Sequence, residues 1–241
     1  MITPPGHSNR KVAIITGASQ GIGAGTVKGY RELGYDVIAS ARSIESSRDS
    51  AVVAVAGDIA DPDTAERIVD EALKRYGRID TLINNAGIYI AKPFTDYTLE
   101  DFNALVAVNL AGFFHITTRA IKHMLDRGAG HILNVSTTLV EQADSSTPAA
   151  LQTLTKGGLV AATRSLAIEY ASRGLRINAV SLGVIRTHPH DRSAYAALGA
   201  LQPLGRVGEI EDVVGGILYL ESAPFVTGEI LHIDGGQSAG H

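Results

Sequence analysis

Thr16, Gly17, Ala18, Ser19, Gln20, Gly21, Ile22 and Gly23 put three glycines directly after a short apolar run. Glycine turns tightly at no steric cost and lets backbone amides come close to a ligand. A helix opening on such a turn offers free N–H groups and the positive end of its dipole, which attract a pyrophosphate. The arrangement needs a strand before it and a helix after it. Residues 11–16 (KVAIIT) read as a buried strand, and 21–33 carry helical spacing stopped by Gly34. The expected chemistry is dinucleotide binding. Chains that bind NAD usually place an acid about twenty residues further on, at the end of the second strand, to hold the ribose hydroxyls. Asp36 lies at the start of that strand, too far away, and Ala41 fills the acid position. Arg42 follows, and its planar fork suits a 2′-phosphate. NADP(H) is therefore the expected cofactor, with NAD(H) as the alternative.

His188, Pro189, His190 and Asp191 form a second cluster with chemistry in it. Imidazoles titrate near neutrality and suit proton transfer; the alternative is a pair of solvated loop residues. The proline breaks the geometry a metal would need and no further ligands gather nearby, so no metal site is expected. The chain has no cysteine, which excludes disulfides, thiolate metal sites, iron–sulfur clusters and cysteine nucleophiles. Twenty-one basic residues against 25 acids give a net charge of −4, the wrong sign for a nucleic-acid partner. No apolar run approaches a bilayer span. Residues 1–10 are proline-rich and polar, a flexible lead-in without the apolar stretch of a signal peptide. A cytoplasmic protein acting on a small molecule, away from membranes, is expected.

Apolar runs and helical patterns alternate through the rest of the 241 residues. Strands are expected at 11–16, 36–41, 51–56, 80–84, 130–136, 175–181 and 229–234. Helices are expected at 21–33, 61–77, 98–127, 149–172 and 209–221. Asp61 with Pro62 is a helix start, as is Thr98 with Asp101. Residues 42–50 are too few for a crossover helix, so a turn or rudimentary helix is expected there. The pattern predicts an α/β Rossmann fold: one domain over 11–241, a doubly wound parallel sheet of about seven strands with helices on both faces. Ligands of such a sheet bind at the carboxyl ends of its strands. The segment at about 188–204 would be the substrate loop.

The spacing TGxxxGxG resembles that of the short-chain dehydrogenase/reductase family, and the resemblance runs from Lys11 to about Gly236. Asp58, followed by Ile59, matches the acid that family places by the adenine ring. Asn84, Asn85, Ala86 and Gly87 match its NNAG signature. Asn109 stands where it has a catalytic-site asparagine, Lys156 where its active-site lysine holds the ribose. Gly183, Ile185 and Thr187 match the segment that holds the nicotinamide amide, and Asp234, Gly235 and Gly236 its C-terminal ending. The resemblance implies cofactor contacts from Ser19, Gln20 and Ile22 beside Gly17, Gly21 and Gly23, and from Asn85, Ala86 and Gly87. It implies hydride transfer between the nicotinamide and a small carbonyl, alcohol or imine. It also implies a homotetramer, or failing that a dimer, built on two long helices; Ala161, Ala162, Ala167 and Ala171 permit close packing of one of them.

Three positions depart from the family. Gln152 stands four residues before Lys156, in place of the acid/base tyrosine. Thr137 occupies the usual serine position, flanked by Ser136 and Thr138. Leu182 replaces the proline before Gly183. Ser136, Thr137 and Thr138, with Gln152 and Asn109, would orient the reacting group. A glutamine amide gives up no proton near neutral pH. General acid catalysis is typically worth ~10²–10⁴-fold, whereas positioning two reactants contributes up to about 7–11 kcal/mol, so losing the tyrosine need not abolish hydride transfer. Replacement donors are Tyr89, His188, His190, or a water relayed through Asn109 and Lys156. The rival reading is an NAD(P)-binding protein with lost or altered catalysis, acting as a sensor or partner subunit.

Overall fold

The computed structural model describes residues 10–187, 192–200 and 202–240. Seven parallel strands are β1 (Val12–Thr16), β2 (Asp36–Ala41), β3 (Val52–Ala56), β4 (Thr81–Asn84), β5 (Gly130–Thr137), β6 (Leu175–Leu182) and β7 (Ile230–Ile233). They lie in the order β3-β2-β1-β4-β5-β6-β7. The order reverses between β1 and β4, and that point opens a crevice at the strands' carboxyl ends.

Successive strand residues point to opposite faces, and both faces are covered. Val12, Ile14, Leu82 and Ile132 join Ile68, Ile116, Ala120 and Ala167 in one core. Those partners come from α2 (Pro62–Tyr76), α4 (Gly112–Arg127) and α5 (Ala150–Tyr170). Ala13, Ile15, Val37 and Leu133 join Tyr30, Val213, Ile217 and Leu220 in the other, supplied by α1 (Gly21–Glu32) and α7 (Ile210–Ser222). The start of α2 forms as expected: Asp61 accepts a hydrogen bond from the Asp63 amide, with Pro62 in the first turn.

Four features differ from the sequence reading. The helix expected at 98–127 is not uniform: α3 (Leu99–Leu105) passes through a π-helical stretch, Val106–Ala111, into α4. Such wide turns are frequent at functional sites, and this one carries Asn109. The same stretch, Leu99–Arg127, is after all long and apolar enough to cross a bilayer, an 18-residue window within it having a mean hydropathy of 1.4; Ile116, Thr117, Ala120 and Met124 bury one side of it in the core. The substrate segment is not all loop, since it contains α6 (Arg192–Gly199). Finally, β5 and β6 each run one residue further than expected and take in Thr137 and Leu182. Residues 42–50 form bends and a turn without a helix.

Candidate active site

The turn after β1 is shaped by what lies against it. Gly17 has φ +65°, and a Cβ there would meet Asn85 Nδ2 at 2.8 Å and Ala86 Cα at 2.9 Å. A Cβ on Gly23 would meet the Gly17 carbonyl oxygen at 2.1 Å. Asn85 donates to the carbonyls of Thr16 (2.9 Å) and Gly17 (3.1 Å). Thr16 Oγ1 accepts from the amides of Asn85 and Ala86. The end of β4 is thus stitched to the glycine turn. No side chain caps α1 and its first turn holds no acid, so its leading amides remain available to an anion.

This turn forms one wall of a cleft of about 580 Å³ at the β1/β4 switch point. Gly17, Ser19, Gln20, Gly21, Ile22 and Gly23 line it, as do Asp58, Ile59, Asn85, Ala86 and Gly87. Ser40, Ala41, Arg42 and Ser43 close one end, and Ile88, Val108 and Thr187 also contribute. The cleft's size, shape and glycine cradle fit a dinucleotide. Gly183 and Ile185 do not line it. Ile185 bridges to Gly208, and a Cβ on Gly183 would lie 2.8 Å from Asp234 Cα; both steer the chain toward Thr187.

Asn109, Thr155, Gln152 and Lys156 converge beside this cleft. Asn109 is buried; its Oδ1 accepts from the Ile88 amide at 3.0 Å, and its Nδ2 donates to Ile88 O and Thr155 Oγ1, both at 3.2 Å. It holds the loop after Gly87 against α5. Thr155 in turn donates to the Gln152 carbonyl at 2.9 Å. Lys156 Nζ donates to Val135 O at 2.8 Å, and a Cβ on Gly87 would lie 3.0 Å from that nitrogen. Burial lowers the Lys156 ammonium from 10.5 to about 8. Gln152 is only 3% exposed, and its Oε1 has no hydrogen-bond partner.

The three hydroxyls at the end of β5 separate by strand alternation. Ser136 is buried and donates to the Lys156 carbonyl at 3.4 Å, which turns it toward the α5 backbone. Thr138 is also buried; its Oγ1 lies within hydrogen-bond distance of Leu182 O and Gln237 Oε1. Thr137, between them, is half-buried and accepts only from Leu139 N among its hydrogen bonds here. Tyr89 is 55% exposed. Burial raises its phenol, and Tyr97 and Asp144 raise it further, with no cation pulling it down. His188 and His190 lie outside the described residues. No group of three or more metal-binding side chains occurs among the described residues.

Sequence reasoning missed Thr155, Gln202 and Gln237. Thr155 adjoins Lys156 and was open to notice. The other two carry no local signal: Gln202 Nε2 donates to Gln237 Oε1 at 3.2 Å across 35 residues.

A family model described as enoyl-(acyl carrier protein) reductase matches residues 17–238. The chain is 35% identical over 246 residues to 3beta-hydroxysteroid dehydrogenase 1 of Eggerthella lenta, covering 95% of this chain and 94% of the relative. It is 35% identical over 243 residues to the 3-oxoacyl-[acyl-carrier-protein] reductase FabG of Thermotoga maritima, covering 94% and 97%. This chain belongs to the short-chain dehydrogenase/reductase family. As a short-chain dehydrogenase/reductase it is an oxidoreductase that uses NAD(P). Among solved structures of similar shape, ElxO with NADP bound gives a TM-score of 0.89 at 29% identity, covering 96% of this chain and all (100%) of that one. The 3-ketoacyl-(acyl-carrier-protein) reductase from Brucella melitensis complexed with NADH gives 0.87 at 31%, covering 95% and 98%.

Proposed function

We propose that this short-chain dehydrogenase/reductase prefers NADP(H) and passes a hydride between the nicotinamide and a small carbonyl, alcohol or imine. The observation that carries the cofactor preference is Arg42 at the end of the cleft, with Ala41 where an acid would stand. A guanidinium favours a 2′-phosphate, and a carboxylate would repel it. Lys156 would hold the ribose. Thr137, with Ser136 beside it, and Gln152 would orient the reacting group, and Asn109 would position the loop they face. The proton would come from Tyr89, His188, His190 or a water reached through Lys156. When bound, the cofactor supplies the hydride chemistry; the chain's own groups bind, orient and exclude water.

The comparison of NADPH with NADH by calorimetric titration tests this reading. NADPH should bind more tightly, and Arg42→Ala should weaken NADPH while leaving NADH nearly unchanged. Tighter binding of NADH by the unaltered protein would overturn the preference.

We read the chain as a soluble cytoplasmic homotetramer, with a dimer as the alternative. Phe114, Leu154 and Ile168 are exposed on α4 and α5, and Tyr219 and Phe225 on and just after α7. Two apolar faces support two kinds of contact between copies. One observation favours a different function, that of a nucleotide-binding sensor or partner subunit: Gln152 cannot donate a proton by ionising.

A further inference from the structure

Helix α6 lies in the segment expected to select substrate, and a side chain from outside that segment reaches its ring. The guanidinium carbon of Arg186 lies 5.3 Å from the centroid of Tyr195. A guanidinium within about 6 Å of an aromatic face is attracted by the ring's quadrupole. Arg186 is itself held from elsewhere. Its Nε lies 3.4 Å from Glu209 Oε1, within ion-pair range but off a hydrogen-bond line. Glu209 is the N-cap residue of α7: its amide donates to Asp212 Oδ2 at 2.8 Å and its carbonyl accepts from the Asp212 amide at 3.1 Å, so its backbone is tied to that helix. The Arg186 amide donates to Gly208 O at 2.8 Å, and Ile185 bridges to Gly208. The residue after Arg186 is Thr187, which lines the dinucleotide cleft.

We propose that Arg186 is a positioning residue that docks α6 onto the Thr187 segment through Tyr195, and so couples the substrate helix to the occupied cofactor cleft. The coupling rests on the dinucleotide reading of that cleft. The Arg186–Tyr195 stack does not. Glu209 fixes the cation, the cation holds the ring, and the ring carries α6. A nucleotide that orders Thr187 would order Arg186 with it, and α6 in turn.

Hydrogen exchange of the amides of 192–199 in the full-length protein, with and without NADP⁺, tests this. Arg186→Met should reduce α6 protection by about 2- to 5-fold, the range of an exposed cation–π contact, and leave α1, α2 and α5 unchanged. Tyr195→Leu should do the same, Tyr195→Phe should retain protection, and the Arg186→Met/Tyr195→Leu double variant should lose no more than either alone. NADP⁺ should raise α6 protection in the unaltered protein and not in Arg186→Met. Unchanged protection in Arg186→Met, additive losses in the double variant, or a Tyr195→Phe loss equal to that of Tyr195→Leu would overturn the stack. Calorimetry separates the two readings. Absence of NADP⁺ binding would defeat the cofactor reading and the coupling, while the nucleotide-free variants still decide the role of Arg186.

Discussion

Lys156 Nζ donates to the carbonyl oxygen of Val135 at 2.8 Å, a neutral partner, and no carboxylate is among the causes acting on its pKa. Its ammonium is therefore buried at a cost, which is why burial alone brings it to about 8. The folded value lies below the unfolded one, so the unfolded chain binds more protons, and this group's penalty diminishes as pH rises from about 8 toward 10.5. The displacement corresponds to about 3 kcal/mol at neutral pH as an order of magnitude. Lys156→Met, similar in length and uncharged, should raise the thermal midpoint at pH 7 while weakening NADPH binding at least tenfold. A lower midpoint with unchanged nucleotide affinity would contradict this assignment.

Nucleotide affinity should also follow the lysine's charge. If the ammonium holds the ribose, binding should weaken as pH rises through about 8, by up to about tenfold per pH unit above that point. Titrations at pH 7 and 9 in the unaltered protein and in Lys156→Met make the comparison. The variant should lose the dependence, and an equal slope in both would exclude Lys156 as its source.

At the opposite end of the sheet, Glu221 at the end of α7 accepts from His131 Nδ1 (2.8 Å), Tyr30 (2.9 Å), Tyr35 (2.8 Å) and Thr81 (3.1 Å). Burial raises its carboxyl, but the hydrogen bonds from His131, Tyr35 and Tyr30 outweigh that and bring it to about 2. Asn178 Nδ2 faces His131 Nε2 at 3.2 Å, so Nε2 accepts and the ring is neutral with its proton on Nδ1. Burial lowers the His131 pKa below 6.5. Both folded values lie below the unfolded ones, so stability falls as pH drops below about 6.5, and falls again between 4.5 and about 2. The thermal midpoint should be lower at pH 5 than at pH 7.5. Glu221→Gln, which removes the charged acceptor of a buried hydrogen-bond network, should cost about 1.5–3 kcal/mol by chemical denaturation at neutral pH. A midpoint indifferent to acid, or a cost below about 1 kcal/mol, would count against this network as a stability element.

Assembly is tested by mass and by one charge on each exposed face. Light scattering should give about four times the chain mass of 25.3 kDa. Leu154→Glu and Phe225→Glu should each halve it, because each places a charge where an apolar contact is needed. A mass of one chain for the unaltered protein at micromolar concentration would refute the tetramer and the dimer together.

The sequence showed most clearly what local backbone physics dictates. The glycine turn and the Asp61–Pro62 helix start follow from sterics and capping. Asn109 was located by its motif, but the π-helical stretch that presents it was not, because that widening is fixed by packing on the Ile88 loop and α5. Helix α6 was not foreseen, since it is short and flanked by the Pro189 and Pro203 breaks. The Gln237 contacts with Thr138 and Gln202 span 99 and 35 residues, and no local pattern announces such pairs.

The central claim is that hydride transfer proceeds with Gln152 at the tyrosine position, and NADPH consumption over a panel of small ketones, aldehydes and cyclic imines tests it most directly. The unaltered protein, Gln152→Tyr, Tyr89→Phe and His188→Ala are compared with one cofactor. The account predicts turnover by the unaltered protein on at least one substrate class. If the family's proton route applies, Gln152→Tyr should raise ketone rates by up to ~10²–10⁴-fold, because the Lys156 ammonium would lower the new phenol's pKa. Loss of activity in Tyr89→Phe or His188→Ala identifies the donor; activity unaffected by either leaves the water relay. An unaltered protein that binds NADPH yet turns over nothing, beside an active Gln152→Tyr, would contradict the account and establish the binding-protein reading.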